Sequence, residues 1–323
     1  MAALWPLHFF MTLNIQKNIL LAPYTTFKIG GPAKYFSEAE SIDELRELCS
    51  WAKEERVPVF VLGGGSNLLV NDEGFNGLVI KIMNSDFQII NSKIIAGAGV
   101  SLSRLVLESV KNGLSGLEWA IGIPGTIGGA VCGNCGAYGH SISESVMGGK
   151  IMNSEGEIID FRKEDFLFRY RGSILKNDGN KLVIIEAEFE LAGDEKREAK
   201  EKMREISLTR AQKIPPYPSA GSFFKNYVLD KNKSGKDILL ERFPELQKIV
   251  RGGKIAAGIF IEQCGLKGKT IGGAKISEQH ANFIVNIGNA KAADVLDLAE
   301  ICKREVKDKF GIELEIEKRL LGF

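Results

Sequence analysis

Apolar residues recur at helical spacing in four stretches. Between Ser41 and Arg56 they fall at Ile42, Leu45, Leu48 and Ala52, and Ser41 with Glu44 forms a capping box, so a helix is predicted there. Ser101 to Asn112 reads as a second helix, capped by Ser101 and ended by Gly113. Asp194 to Lys213 is charged, amphipathic and helical until Pro215-Pro216 stops it, and a domain boundary is placed there. The clearest helix covers Asn289 to Phe310, with Val295, Leu298, Ala299, Cys302, Val306 and Phe310 on one face and Gly311 as its terminator. Strands are predicted at Val57–Leu62, Leu78–Ile82 and Leu182–Leu191. Hairpins are predicted at Phe87–Ala98, about Asn91-Ser92, and at Lys150–Phe161, about Glu155-Gly156. Lys254 to Gly288 looks strand-rich, and a strand from Ile312 to Leu321 closes the chain. Helices and strands mix without regular βαβ alternation, so the expected fold class is α+β.

Composition narrows the picture. The chain is 44% hydrophobic and 26% charged, with material for two or three cores in its 323 residues. A net charge of +1 gives no reason to expect a nucleic-acid partner. Three histidines argue against a histidine-based metal centre, so no metal is expected. Five scattered cysteines suit a reducing cytoplasm better than a secreted disulfide framework. The opening MAALWPLHFF has no basic residue before its apolar run and is too short to span a bilayer, so no membrane partner is expected. Met11 is read as the start, with residues 1–14 disordered or artefactual.

The candidate chemistry sits in glycine-rich loops. Gly122 to Gly139 reads GIPGTIGGAVCGNCGAYG and carries almost no charge. Glycine costs conformational entropy on folding, and its usual warrant is close approach of backbone to a ligand. Thr126, Asn134 and Tyr138 are the good side-chain hydrogen-bonders of that run, so it reads as a cofactor cradle. Gly63-Gly64-Gly65-Ser66-Asn67-Leu68 follows a strand directly and makes a diphosphate nest. It is neither the G-x-G-x-x-G fingerprint nor a P-loop. Two such loops flanking one set of strands favour FAD in a non-Rossmann fold. Each loop is also explained by plain turns.

Other motifs are weaker taken singly. A third loop spans Pro23 to Gly31 and includes Thr25. Ser222 stands between glycine and aromatics in Ser219-Ala220-Gly221-Ser222-Phe223-Phe224-Lys225-Asn226, as a buried turn or as a held hydroxyl. Arg169-Tyr170-Arg171 offers two guanidiniums suited to a carboxylate or phosphate, or merely exposed. Glu315 and Glu317 share one face of the terminal strand. Cys132-x-x-Cys135 lacks a second pair and reads as packing.

In order, TTFKIGGPA, VLGGGSNLLVND, the Gly122–Gly139 run, RYRGS, AGSFFKN, GLKG with SEQHANFIVN, and a final E-x-R make a specific set. Together they resemble the UDP-N-acetylenolpyruvoylglucosamine reductases, flavoenzymes of bacterial peptidoglycan precursor synthesis, from about Thr25 to Gly322. The resemblance implies a two-subdomain FAD-binding fold of the vanillyl-alcohol-oxidase (PCMH) type followed by an α+β substrate domain. The corresponding ranges are 15–88, 89–212 and 213–323. It implies non-covalent FAD, held by Thr25, by Gly63 to Leu68, by Gly122, Ile123, Pro124, Gly125 and Thr126, by Gly128, Gly129 and Ala130, and by Asn134, Gly136, Ala137, Tyr138 and Gly139.

The implied reaction has two steps. NADPH gives hydride to flavin N5, and UDP-N-acetylglucosamine enolpyruvate then accepts it at C3. Ser222 matches the family's proton donor to C2, Arg171 the arginine that holds the substrate carboxylate, and Glu317 the catalytic glutamate. Lys225, Asn226 and Asn282 are further candidates for binding the substrate, Lys225 by electrostatics. A cytoplasmic monomer of the shorter family type is implied.

The chain departs from the family pattern where Tyr227 replaces the usual proline and where residues 228–254 form an insertion: a lid, a partner surface or a neutral surface addition. Cys135 stands where alanine is common. Two other readings remain open: an FAD-dependent sugar or alcohol oxidase, tethering its flavin through a residue such as His140, and a non-catalytic flavoprotein.

Overall fold

The computed structural model describes residues 13–177, 181–193, 196–229 and 238–323. The expectation for residues 1–14 lies outside them apart from Leu13 and Asn14, as does the start of the charged helix at Asp194.

The first sheet orders its strands Gln16–Leu20, Pro32–Ala39, Phe75–Ile82, Val59–Leu62. Its first pair is antiparallel and the others are parallel. Parallel neighbours need a crossover, which helix Ile42–Glu54 supplies. The Ser41 hydroxyl accepts from Glu44 N–H at 3.2 Å, and the Glu44 carboxylate accepts from Ser41 N–H at 3.3 Å. Leu45, Leu48 and Ala52 are buried as their spacing requires; each buried leucine contributes roughly 2 kcal/mol.

The second sheet is antiparallel throughout, in the order Ile158–Arg162, Val146–Met152, Val183–Glu190, Lys93–Gly97, Phe87–Ile90. Both expected hairpins are present, the second beginning earlier, at Val146. Helix Leu102–Lys111 buries Leu102, Leu105 and Val106 in the same core as Ile42–Glu54. The Gly122–Gly139 run holds a short helix, Ile127–Cys132. A Cβ on Gly128 would sit 3.0 Å from Ala98 Cβ and 3.2 Å from Ile184 Cγ2. That glycine therefore also answers to helix-on-sheet packing.

A second core gathers around helix Ala292–Phe310 and the sheet Thr270–Ile271, Ala274–Ile276, Ile284–Asn286. Helix Ala257–Gln263 interrupts the stretch expected to be strand-rich. The described part of the insertion is not a bare surface addition. Leu239 and Leu246 are buried in this core, and Phe243 meets the Phe310 ring edge-on at 5.1 Å. The Asp72 carboxylate accepts from Ala292 N–H at 2.8 Å and Ala293 N–H at 3.1 Å, tying the first unit to the N-terminus of the long helix.

The terminal strand is shorter than expected. Only Arg319–Leu321 enters a ladder, parallel to Leu68–Val70, while Ile316 forms an isolated bridge to Phe224. The chain's end therefore returns to the first glycine loop. Among the described residues no helix is long and apolar enough to cross a membrane.

Candidate active site

A cavity of about 510 Å³ lies where the glycine loops face this returning segment. Gly63 to Leu68, Ile123 to Thr126, Gly128 to Ala130 and Gly136 to Tyr138 line it, together with Arg171, Ser222 and Glu317. Seven sequence-derived candidates fall outside the lining: Thr25, Gly122, Asn134, Gly139, Lys225, Asn226 and Asn282.

The two loops approach as backbone. A Cβ on Gly63 would lie 2.4 Å from Thr126 Oγ1, and one on Gly64 2.7 Å from Gly125 Cα. Gly65 has φ +61°, and a Cβ there would strike the Tyr24 carbonyl. Thr126 Oγ1 is buried without a hydrogen-bond partner, a state that costs roughly 1–3 kcal/mol until a ligand atom pairs with it. Arg171, Lys176, Arg210, Lys213, Lys318 and Arg319 line the cavity against one acid, Glu317. Such a field suits a diphosphate. The residues present therefore fit FAD. His140 is exposed, pairs with Glu144 at 2.8 Å and lies outside the lining, so it is not placed to tether a flavin. Cys132 and Cys135 do line the cavity; burial pushes both thiols up and keeps them protonated, in line with a packing role.

The same lining carries the candidate reactive groups. Arg169 and Gly172 exchange backbone hydrogen bonds, and Arg171 sits in this turn with φ +58°. Its Nε donates to Glu317 Oε2 at 3.1 Å and its Nη1 to the Gly136 carbonyl at 2.7 Å. Burial, the largest single influence, would depress this guanidinium; Glu317, Tyr170 and Cys135 together outweigh it and hold the group above its ordinary value.

Ser222 follows Gly221, whose φ is +80°. Its neighbour Phe223 is buried, donates its N–H to the Asn282 carbonyl at 2.7 Å and accepts from Glu317 N–H at 2.9 Å. The loop's anchor thus sets Ser222 against Glu317, and the Ser222 hydroxyl has no protein partner among the described residues. Asn282 Oδ1 and Nδ2 both bond the Phe224 backbone at 2.9 Å. Asn226 accepts from Ala257 N–H at 3.3 Å, and Lys225 pairs with Glu315 at 2.5 Å on the surface. Asn134 donates to the Arg169 carbonyl at 3.0 Å, so it supports the arginine turn from behind.

Lys318 is the residue the motifs passed over. Its Nζ donates to Asn67 Oδ1 at 2.5 Å and to the Ala220 carbonyl at 2.7 Å. Burial pushes its pKa down to about 8. A signal existed: Ile312, Leu314, Ile316 and Lys318 alternate, which puts the lysine on the apolar face. His280 also lines the cavity; its Nδ1 accepts from Asn282 N–H at 3.2 Å, and burial lowers its pKa.

Known proteins add their weight at this point. Residues 33–162 match the FAD binding domain family. The fold and cavity accordingly define a flavoprotein, with FAD as its cofactor. Residues 212–321 match the C-terminal domain of UDP-N-acetylenolpyruvoylglucosamine reductase. Curated proteins of that name from Clostridium novyi (strain NT) and Anoxybacillus flavithermus (strain DSM 21510 / WK1) are 38% and 40% identical over 312 residues each. The alignments cover 96% of this chain in both cases, and 92% and 95% of those proteins. The crystal structure of the reductase from Thermus caldophilus superposes with a TM-score of 0.75 at 33% identity, covering 96% of this chain and 99% of that one. The chain belongs to the UDP-N-acetylenolpyruvoylglucosamine reductase family.

Proposed function

We infer that the protein reduces UDP-N-acetylglucosamine enolpyruvate to UDP-N-acetylmuramate in peptidoglycan precursor synthesis, with NADPH as the electron source. FAD held along the Gly63–Leu68 and Gly122–Gly139 loops would supply a two-electron store between NADPH and the substrate. One observation carries the reading. Arg171, Ser222 and Glu317, far apart in sequence, meet on the wall of the cavity that the glycine loops line.

The residues' roles follow from that wall. Hydride addition at C3 drives electron density toward C2 and the carboxylate, so a cation must face the growing charge. Arg171 is the group we assign there, because Glu317 and the Gly136 carbonyl fix its guanidinium from two sides. Ser222 donates the proton to C2, which a hydroxyl manages only beside a strongly basic carbon within hydrogen-bond reach. Its freedom from partners among the described residues leaves that proton available. Glu317 orients Arg171 and, through its own N–H, the serine loop. We read Asn282 as shaping that loop, since both its amide atoms are held by Phe224.

We assign 15–88 and 89–212 to the cofactor-binding halves and 213–323 to the substrate domain. The free thiols of Cys49, Cys132, Cys135, Cys264 and Cys302 suit a reducing cytoplasm.

Anaerobic stopped-flow absorbance in the visible flavin band tests the reading. NADPH should bleach the bound flavin, and the enolpyruvyl sugar nucleotide should restore its colour. Bleaching without recovery would reject the substrate.

A further inference from the structure

Lys318 occupies the open middle position of Glu317-x-Arg319, so the family motif assigns it nothing. It is nevertheless the most deeply placed cation of the cavity, 7% exposed as a residue. Two of its three ammonium protons are taken. One goes to Asn67, in the first glycine loop, and the other to Ala220, two residues before Ser222. Thr26 makes a parallel tie, its N–H to the Gly65 carbonyl at 3.2 Å and its hydroxyl to the Ser219 carbonyl at 2.7 Å. Thr26 is neutral at every pH of interest; Lys318 is not.

We propose that Lys318 is a positioning residue whose ammonium clamps the Gly63–Leu68 loop to the serine loop, so that one proton on it governs both FAD retention and the placement of Ser222. The inference rests on FAD occupying this cavity. Charge-assisted hydrogen bonds are about twice as strong as neutral ones, so losing the proton loosens both ties at once. It also removes a positive charge from a cavity that must hold an anionic cofactor. The charged and titratable groups facing Lys318 are Glu317, which favours its charge, Arg171 and Lys176, which oppose it, and Cys135. Burial outweighs them and sets the free-site titration at about 8.

The sign follows from linkage. A bound anion favours the ammonium, so binding takes up a proton wherever the free site has lost one. FAD affinity should then fall by up to roughly tenfold per pH unit above the free-site value and be flat below it.

The test is FAD release from the diluted holoprotein, read as recovered flavin fluorescence, from about pH 7 to about pH 10. Lys318→Met and Lys318→Arg are compared with the parent. The parent should show the alkaline fall. Lys318→Met should bind roughly tenfold or more weakly at neutral pH and show no such slope, and Lys318→Arg should also lose the slope. Flavin reoxidation by substrate in the parent should slow over the same pH range. A parent curve without slope overturns the proposal even if Lys318→Met fails to fold, and so does a Lys318→Met protein that keeps the parent slope. Absence of FAD binding at any pH overturns the cofactor reading as well, which separates the two failures.

Discussion

Replacing Glu317 by glutamine keeps the side chain's shape and removes its charge. Two unit charges 3.1 Å apart interact by about 5 kcal/mol at an effective dielectric near 20. Desolvation offsets part of this, and deleting one partner of a buried pair costs about 3–5 kcal/mol. The Arg171 and Glu317 side chains are 23% and 13% exposed, which points to the low end. A loss of about 3 kcal/mol in Arg171 placement corresponds to about a hundredfold in rate for any step that needs it. Single-turnover stopped flow separates the steps. Flavin reduction by NADPH should change little, whereas reoxidation by the enolpyruvyl substrate should slow about a hundredfold. Glu315→Gln is the control, because Lys225–Glu315 has the shorter contact at 2.5 Å but Glu315 is 72% exposed. Its effect should stay under about 1 kcal/mol. Reoxidation of Glu317→Gln within about threefold of the parent, under 1 kcal/mol on this scale, would refute the assignment.

Three further changes separate positioning, chemistry and folding. Ser222→Ala should leave reduction by NADPH intact and slow reoxidation; two fast half-reactions would remove Ser222 from the mechanism. Thr126→Val deletes a buried hydroxyl that has no protein partner, so the FAD-free protein should melt no earlier while FAD binds roughly fivefold or more weakly, read by calorimetry and fluorescence titration. Asp72→Ala removes both backbone caps at Ala292 and Ala293 and should lower stability by about 1–2 kcal/mol in urea titration.

The helix at Ile42–Glu54 was legible from its Ser41 cap and its spacing, and Ala292–Phe310 from its spacing and its Gly311 terminator. Ala257–Gln263 was not, since seven mostly apolar residues between glycines fit a buried strand as well as a helix. The alternation from Ile312 to Glu317 was real and buries Ile312 and Leu314 in the second core, but the segment makes one isolated bridge, Ile316 to Phe224, and no ladder. Arg171, Ser222 and Glu317 were reached through resemblance. Nothing local in RYRGS or AGSFFKN says that two segments so distant share a wall; packing across the chain does. Lys318 shows the opposite failure, a position marked by its period that no motif named.

The parallel pairing of Arg319–Leu321 with Leu68–Val70 sets the order in which the molecule can be finished. The cavity joins residues made early to residues made last, 250 positions apart for Asn67 and Glu317. Closing so long a loop is entropically slow and is repaid only once the whole intervening lobe is in place. A partly synthesised chain can bury its first core yet has no means of assembling the reactive wall. The wall that holds Glu317 is thus completed in one step, with the pairing of Arg319–Leu321, rather than growing as the chain lengthens.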